Sequence, residues 1–522
     1  MAESEWRKVC SEGELAEGGQ KLVTAGEDPV LLTRLGGTIY AVGNKCTHYE
    51  CKLNEGVLLG RTVVCRCHDA RFDVTTGKVI SPPALNDLPV YPVKVESGDV
   101  LVGPVQKARF PKPEGTDART FLIIGGGAAG NAAAETLRRE GFAGRILMVT
   151  PEPDLPYDRP NLSKEFISGE AKPEWMPLRS AKFYANQNID VILNTRVTSL
   201  DLGKKSALLE DGREVAFDRA LLATGAVPRK LPIPGADGEA CFQLRSFADA
   251  RVIAEAAAGA KSVVLVGAGF IGMELASSLR QRGLAVEVAA PEPLPFARIV
   301  GDRIASYLKS RHEEKGVVFH LGANITKISG PRGAKEVELS NGTRIRADFV
   351  VFGLGVSPAV DWLAGTGLVE GGAVPVNARL QTKNPDVFAA GDIAVVPDPL
   401  GRGSQRIEHW VVAERQGQHA ARAMLGAAAP YEYVPFFWTR QTGVSLKYVG
   451  LAREWDEVVY RGDVEKGKFL AGFYLTGTLL AAASIGMPDE TTAVEIMLSR
   501  RLPLPAEKLA AVDVDLLAIA RG

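Results

Sequence analysis

Thr120-Phe-Leu-Ile-Ile124-Gly125-Gly-Gly127-Ala-Ala-Gly130, running into Asn131-Ala-Ala-Ala-Glu-Thr-Leu-Arg-Arg-Glu140, decides the fold. An apolar run of strand length meets Gly-x-Gly-x-x-Gly, and strong helix formers follow. The first glycine lets the chain turn tightly off the strand. The second lets backbone approach a pyrophosphate, and the third lets the helix pack close, with its N-terminus facing the phosphate charge. The string returns at Ser262-Val-Val-Leu-Val266-Gly267-Ala-Gly269-Phe-Ile-Gly272, ahead of Met273-Glu-Leu-Ala-Ser-Ser-Leu-Arg-Gln-Arg282. One copy is a weak signal. Two copies, each between a strand and a helix, predict two dinucleotide sites in alternating α/β folds.

The chain upstream has a different rhythm. Residues 1–105 read as short strands, among them Val30-Leu-Leu-Thr-Arg-Leu35, Thr38-Ile-Tyr-Ala-Val42 and Val90-Tyr-Pro-Val-Lys-Val95, with glycine-rich turns between. They predict a small all-β antiparallel domain. Residues 106–118 hold two prolines, several charges and little apolar content, as a linker would. The expected class is therefore α/β with an N-terminal all-β domain.

The β domain carries Cys46-Thr47-His48 and Cys65-Arg66-Cys67-His68. Zinc sites with two Cys and two His usually separate a cysteine knuckle from a histidine knuckle. Here each cluster holds one ligand Cys and one ligand His. Cys-x-His…Cys-x-x-His is the ligand set of a Rieske [2Fe–2S] centre, in which two thiolates hold one iron and two imidazoles the other. Cys46-Thr-His48-Tyr49 and His68-Asp-Ala-Arg-Phe-Asp73 resemble the two cluster-binding loops of Rieske ferredoxins. The resemblance makes Cys46, His48, Cys65 and His68 the metal ligands. It also places Cys51 and Cys67 where Rieske proteins of cytochrome bc complexes carry a disulfide. Two free thiols in a reducing compartment are the alternative. Ala70 and Phe72 stand where high-potential relatives offer Ser and Tyr hydroxyls to the cluster sulfurs. A low, ferredoxin-like potential is the expectation, because such hydrogen bonds raise it.

Composition narrows the function classes. Of 522 residues, 46% are hydrophobic and 24% charged, which is ordinary for a globular chain. A net charge of −1 with no basic run gives nucleic acid no purchase. Met1-Ala-Glu-Ser-Glu-Trp6 is acidic and has no apolar signal core. No stretch approaches the ~20 apolar residues of a membrane span. A cytoplasmic protein is expected. Cys10 and Cys241 are left over as ordinary thiols.

Further segments separate the two dinucleotide sites. Ala223-Thr224-Gly225 and Phe388-Ala-Ala-Gly391-Asp392 each close an apolar strand. Both resemble FAD fingerprints of two-dinucleotide-binding flavoprotein reductases. Tyr157-Asp-Arg159-Pro-Asn-Leu-Ser-Lys164, Gln405-Arg-Ile-Glu408-His409-Trp410 and Pro435-Phe-Phe-Trp438-Thr439 resemble flavin-side segments of the same proteins. The set is similar to the ferredoxin reductases of oxygenase systems and the apoptosis-inducing-factor-like proteins, most closely their Rieske-containing branch. That resemblance implies a Rieske domain over 1–105, an FAD-binding domain over 119–240 and 356–432, an NAD-binding domain over 241–355 and a C-terminal α/β domain over 433–522. Gly125, Gly127 and Gly130 would cradle FAD, and Asp392 would bind its ribityl–phosphate part. Glu152, one residue past the usual acidic position held by Pro151, is the ribose candidate. Gly267, Gly269 and Gly272 would cradle the nicotinamide cofactor. Glu292 in Ala290-Pro-Glu is its ribose ligand and points to NADH; Arg298 nearby keeps NADPH as the alternative.

Lys164 and Glu274 match a pair that sits near the flavin N5 in the related reductases. A cation there would stabilise the reduced ring, with the carboxylate holding it. No Cys-x4-Cys follows the first glycine loop, so a thiol relay is disfavoured. The implied route runs from NADH through FAD to the cluster, then to a redox protein or terminal oxidoreductase. An NADH-responsive redox sensor is the alternative. A Rieske oxygenase would need an iron held by two His and a carboxylate, and His312, His320, His409 and His419 lack the spacing for it. Monomer and homodimer both stay open.

Overall fold

A computed structural model describes residues 6–107 and 110–521. The acidic residues 1–5 and positions 108–109 of the expected linker lie outside the described residues, as does residue 522. The chain forms two compact units. One contains the chain up to Lys112 together with Met487 onward; the other is Pro113–Gly486.

In the first unit the strands are antiparallel. Gln20–Ala25, Asp28–Leu35, Thr38–Gly43 and Val90–Tyr91 make one sheet, in that order. Val57–Leu59, Thr62–Val64, Arg71–Asp73 and Val79–Ser81 make a second. Alternation along Asp28–Leu35 lets one strand serve two cores. Val30 and Leu32 join Tyr91, Val100 and Val102, while Leu31 joins Val42, Val63, Phe72 and Leu88. The second core lies directly beneath Cys46 and Cys65. The C-terminal helices Pro488–Arg500, Ala506–Ala510 and Leu516–Arg521 belong to this unit.

The second unit is built on a duplication. Ile189–Ile192, Arg145–Val149, Thr120–Ile124, Arg219–Leu222 and Val387–Ala389 form a five-stranded parallel sheet. Cys241–Gln243, Phe349–Phe352, Ser262–Val266, Ala285–Ala290 and Val317–Leu321 form another. Each is accompanied by a three-stranded antiparallel meander, Val197–Ala216 in one half and Ile325–Ala347 in the other. Parallel strands are covered on both faces and read as unbroken apolar runs; Phe121, Leu122 and Ile123 are fully buried. The chain leaves the first half and returns to it on the paired strands Ala226–Pro228 and Val356–Pro358. An antiparallel sheet of five strands, from Phe436–Gln441 to Thr478–Ile485, completes the unit. The α/β class with an N-terminal β domain is as the sequence predicts.

Gly125 shows why the first turn demands glycine. Its φ is +119°, and a Cβ there would sit 2.1 Å from the Ala223 carbonyl oxygen. A Cβ on Gly130 would sit 2.0 Å from the Gly125 carbonyl oxygen, which closes helix Ala128–Arg139 onto the strand.

Candidate metal and flavin sites

The two cluster loops are built alike. The Cys46 N–H donates to the Cys51 carbonyl at 2.9 Å, and its carbonyl accepts from Glu50 at 2.8 Å. The Cys65 N–H donates to the Ala70 carbonyl at 2.8 Å, and its carbonyl accepts from Asp69 at 3.1 Å. Glu50 and Asp69 both take positive φ, +53° and +64°. Each loop is thus a six-residue hairpin with its cysteine at the base. Both cysteines are 2% exposed. His48 Nδ1 and His68 Nδ1 face each other at 3.1 Å, with the rings edge to face.

This donor set fits a [2Fe–2S] cluster. The Cys65 thiol beside it and then burial push the Cys46 thiol far up, so two thiolates here need a cation between them. Burial pulls His48 down to about 4, which leaves the neutral imidazole that ligates metal. Cys51 and Cys67 are joined in a disulfide. Their sulfurs lie within 4.8 Å of Cys65 Sγ, but as a bonded pair they are not thiolate ligands. The bond ties one ligand loop to the other. Ala70 and Phe72 are fully buried in the core under the loops.

In the second unit the structure brings Lys164 and Glu274 together. Lys164 lies in the wide turn Leu162–Phe166, where it leaves helical geometry (φ −116°, ψ −108°). Its Nζ donates to Glu274 Oε2 at 2.8 Å and to the Pro160 carbonyl at 2.9 Å. Glu274 stands on helix Phe270–Gln281, directly after the second glycine loop. Ser163 Oγ also donates to Oε2, at 2.5 Å, and Thr439 Oγ1 donates to Oε1 at 2.7 Å. Beyond Thr439, Gln441 Nε2 donates to the threonine hydroxyl at 3.2 Å, and Gln441 Oε1 meets His312 Nε2 at 2.6 Å. One buried polar chain therefore joins segments from three parts of the unit. Thr439 falls within a segment that resembles the flavin side of related reductases, with nothing local to mark it out. Its contact with Glu274 crosses 165 positions, and no local pattern signals it.

Around the first glycine loop, Arg159 Nη2 donates to Glu152 Oε1 at 2.8 Å, and the Tyr157 hydroxyl donates to Oε2 of the same carboxylate. The Arg159 guanidinium lies 4.8 Å from the Tyr157 ring centre and also donates to the Arg245 carbonyl. Asp392 accepts from Arg245 Nη2 at 2.9 Å. Arg245, absent from the sequence-based set, stands just before the capping box of Ser246 and Asp249. That box reads as a helix start, and it masks the arginine beside it. The Thr224 hydroxyl ties to the Ala359 carbonyl at 2.8 Å, and Gly225 and Gly391 take φ of +68° and +80°. Glu408 pairs with Arg406 at 2.5 Å. His409 stacks on Phe437 with ring centres 4.2 Å apart, and burial lowers it to about 4. Trp410 opens helix Trp410–Met424, and Trp438 lies on strand Phe436–Gln441.

Gly127 tests the fit for FAD. A Cβ added there meets no atom within 4 Å, although the flanking glycines are crowded. The space a side chain would fill is the open mouth of the turn, where a pyrophosphate approaches backbone. Gly269 is as open in the second turn, its nearest atom being the Gly353 carbonyl oxygen at 4.0 Å. Phe270 follows it, stacked on Phe296 at 4.8 Å and edge-on to Phe437 at 5.1 Å. Glu292 and Arg298 are exposed beyond the end of strand Ala285–Ala290.

Comparison with known proteins agrees with this architecture. The pyridine nucleotide-disulphide oxidoreductase family matches residues 119–417, the Rieske [2Fe-2S] domain residues 5–92, and the reductase C-terminal family residues 436–520. The chain is 36% identical to apoptosis-inducing factor 3 of Homo sapiens, over 94% of this chain and 84% of that protein. It is 35% identical to rhodocoxin reductase of Rhodococcus erythropolis, over 77% of this chain and 95% of that one. Among solved structures, the ferredoxin reductase for the CYP199A2 system from Rhodopseudomonas palustris superposes with a TM-score of 0.74 at 34% identity, covering 77% of this chain and all of that one. The reductase of the covalent putidaredoxin reductase–putidaredoxin complex also gives 0.74, at 30% identity, over 78% of this chain and all of its own. The family and the Rieske domain together support FAD, NADH and a [2Fe–2S] cluster as the cofactors of this chain. The chain belongs to the pyridine nucleotide-disulphide oxidoreductase family, as an oxidoreductase with a fused Rieske domain.

Proposed function

We propose that this chain draws electron pairs from NADH and delivers them singly, through its own Rieske domain, to a redox protein or terminal oxidoreductase. FAD supplies the conversion from paired to single electrons, and the cluster supplies one-electron storage. The observation that carries the reading is the preformed seat of two buried thiols and two facing imidazoles on the same chain as the reductase folds. No cysteine lies between Gly125 and Ala240, so the flavin fold has no thiol to relay electrons.

The residues divide the work. Gly125, Gly127 and Gly130 hold the FAD pyrophosphate against backbone. Arg159 and Arg245 bring positive charge beside Glu152 and Asp392, which take the ribose and ribityl hydroxyls. Lys164 holds a proton at Nζ beside the site of reduction, and Glu274 fixes that ammonium. Phe270, Phe296 and Phe437 exclude water from the nicotinamide side. Glu292 binds the nicotinamide-cofactor ribose and favours NADH. Fusion keeps the acceptor domain at an effective concentration of about millimolar. Among the described residues no helix is long and apolar enough to cross a membrane; a cytoplasmic site of action fits that.

An anaerobic NADH titration followed by absorbance and electron paramagnetic resonance tests the reading. The yellow chromophore bleaches and a rhombic Rieske signal grows in. NADH that bleaches the flavin without producing the cluster signal refutes it. The likeness to apoptosis-inducing factor 3 over 94% of this chain favours one other reading, an NADH-responsive sensor. Slow turnover with every acceptor that the cluster can reduce, together with a long-lived reduced form, would support it.

A further inference from the structure

The first of the three C-terminal helices grips the second cluster loop. Arg71 stands three positions after His68, on strand Arg71–Asp73. Its Nη2 donates to Glu495 Oε1 at 2.6 Å and lies 3.2 Å from Asp69 Oδ2. Asp69 and Glu495 are 5% and 4% exposed. Asp69 is the positive-φ residue that helps close the base of the Cys65 hairpin, its N–H donating to the Cys65 carbonyl. One half-buried guanidinium thus bridges the base of a hairpin that carries candidate ligands and the middle of helix Pro488–Arg500.

That helix has two allegiances. By sequence it is the end of the reductase C-terminal family, which matches residues 436–520. In space it belongs to the compact unit of the Rieske domain, which resumes at Met487. Only Gly486 and Met487 separate it from strand Thr478–Ile485 of the reductase unit. The cluster unit is therefore joined to the reductase chain twice, through the linker before Pro113 and through this helix.

We propose that Glu495 is a positioning residue whose helix is a second attachment of the Rieske domain, so that the Arg71–Glu495 pair, and not the linker alone, ties the cluster loop to the reductase chain. The inference rests on the proposed electron route only for its kinetic consequence. A flexible tether gives a rate that falls as the tether lengthens, because effective concentration falls. A domain also held by a second, shorter attachment gives a rate that ignores the length of the linker. Removing an anion near the cluster also favours its reduced state, since the added electron meets less negative charge.

The test inserts a flexible Gly/Ser segment between Lys112 and Pro113 in the full chain, with and without Glu495→Ala, Glu495→Gln or Glu495→Asp. Single-turnover reduction of the cluster by NADH is followed by stopped flow. The insert leaves the rate unchanged when Glu495 is present and slows it about tenfold when Glu495 is Ala. Amide hydrogen exchange across residues 65–73 speeds up about tenfold in Glu495→Ala and Glu495→Gln, with iron content preserved. The cluster potential rises in Glu495→Gln and stays at the parent value in Glu495→Asp, which a merely structural role would not arrange. An insert that slows the parent as much as it slows Glu495→Ala overturns the proposal. So does unchanged exchange at 65–73 in Glu495→Gln. If NADH does not reduce the cluster even in the parent, the electron route fails, while the exchange measurement still decides the anchor.

Discussion

Breaking the Lys164–Glu274 pair separates its structural work from its chemical work. The side chains are 13% and 7% exposed, and the ions meet at 2.8 Å. A unit-charge pair about 4 Å apart at an effective dielectric near 20 interacts by about 4 kcal/mol. Stranding one buried partner costs about 3–5 kcal/mol. The two partners are not equally supported. Lys164→Ala leaves Glu274 accepting from Ser163 and Thr439, whereas Glu274→Gln leaves the ammonium with the Pro160 carbonyl. Glu274→Gln therefore destabilises the reductase unit by about 3 kcal/mol, near the lower end for a stranded buried charge. Lys164→Ala costs about 1–2 kcal/mol, the scale of a lost charge-assisted hydrogen bond. The double variant is more stable than Glu274→Gln, because no charge is left stranded; the coupling reaches about 2 kcal/mol. Urea unfolding of the FAD-loaded protein, read by flavin fluorescence, measures all three. Function follows the lysine instead. Lys164→Ala slows flavin reduction by NADH about a hundredfold, the scale of one preorganised electrostatic group, while FAD stays bound. Additive stabilities, or a Lys164→Ala protein that reduces its bound FAD at the parent rate, would refute the reasoning.

Gly127→Ala folds, because nothing crowds its Cβ, but loses FAD affinity; Gly130→Ala clashes with the Gly125 carbonyl and yields little folded protein. Flavin content against circular dichroism separates the two outcomes. Ala70→Ser and Phe72→Tyr each raise the cluster potential by about 40 mV, taking about 1 kcal/mol for one hydrogen bond to sulfur and 59 mV per tenfold change. A redox titration that finds neither shift removes the low-potential assignment. Burial holds His312 near 4 against an ordinary 6.5. The unfolded chain thus takes up its proton first as pH falls. Its stabilising share is complete above 6.5 and drains towards pH 4, losing about 2 kcal/mol by pH 5. Urea midpoints at pH 7 and 5 should fall less in His312→Gln than in the parent, and an equal fall would contradict the assignment.

The glycine turns and the Cys/His loops were legible because each states its geometry within a dozen residues. A positive φ at Gly125 or a thiol two places from an imidazole is a local fact. The Lys164–Glu274 pair was legible only by resemblance, since 110 positions separate the partners. Thr439, Arg245 and Glu495 carry no such local sign. Each acts through one long-range contact made by a residue type that is common on any helix or strand. Glu495 is the clearest case: nothing local in Val494-Glu495-Ile496 marks this carboxylate, and only the fold reveals it as buried against Arg71. The disulfide partners were named from a likeness to other proteins, not from their spacing.

The matched hairpins around Cys46 and Cys65 have a consequence for assembly. The loops are near copies, yet the two irons they would serve in the proposed centre are chemically unlike, one wanting sulfur and the other nitrogen. The difference between the metals therefore runs across the hairpins, with every iron drawing on both. A chain with one hairpin unfolded offers each metal half its ligands and neither a complete set. Were Cys46, His48, Cys65 and His68 to hold the cluster as proposed, loading would therefore need both hairpins to be formed.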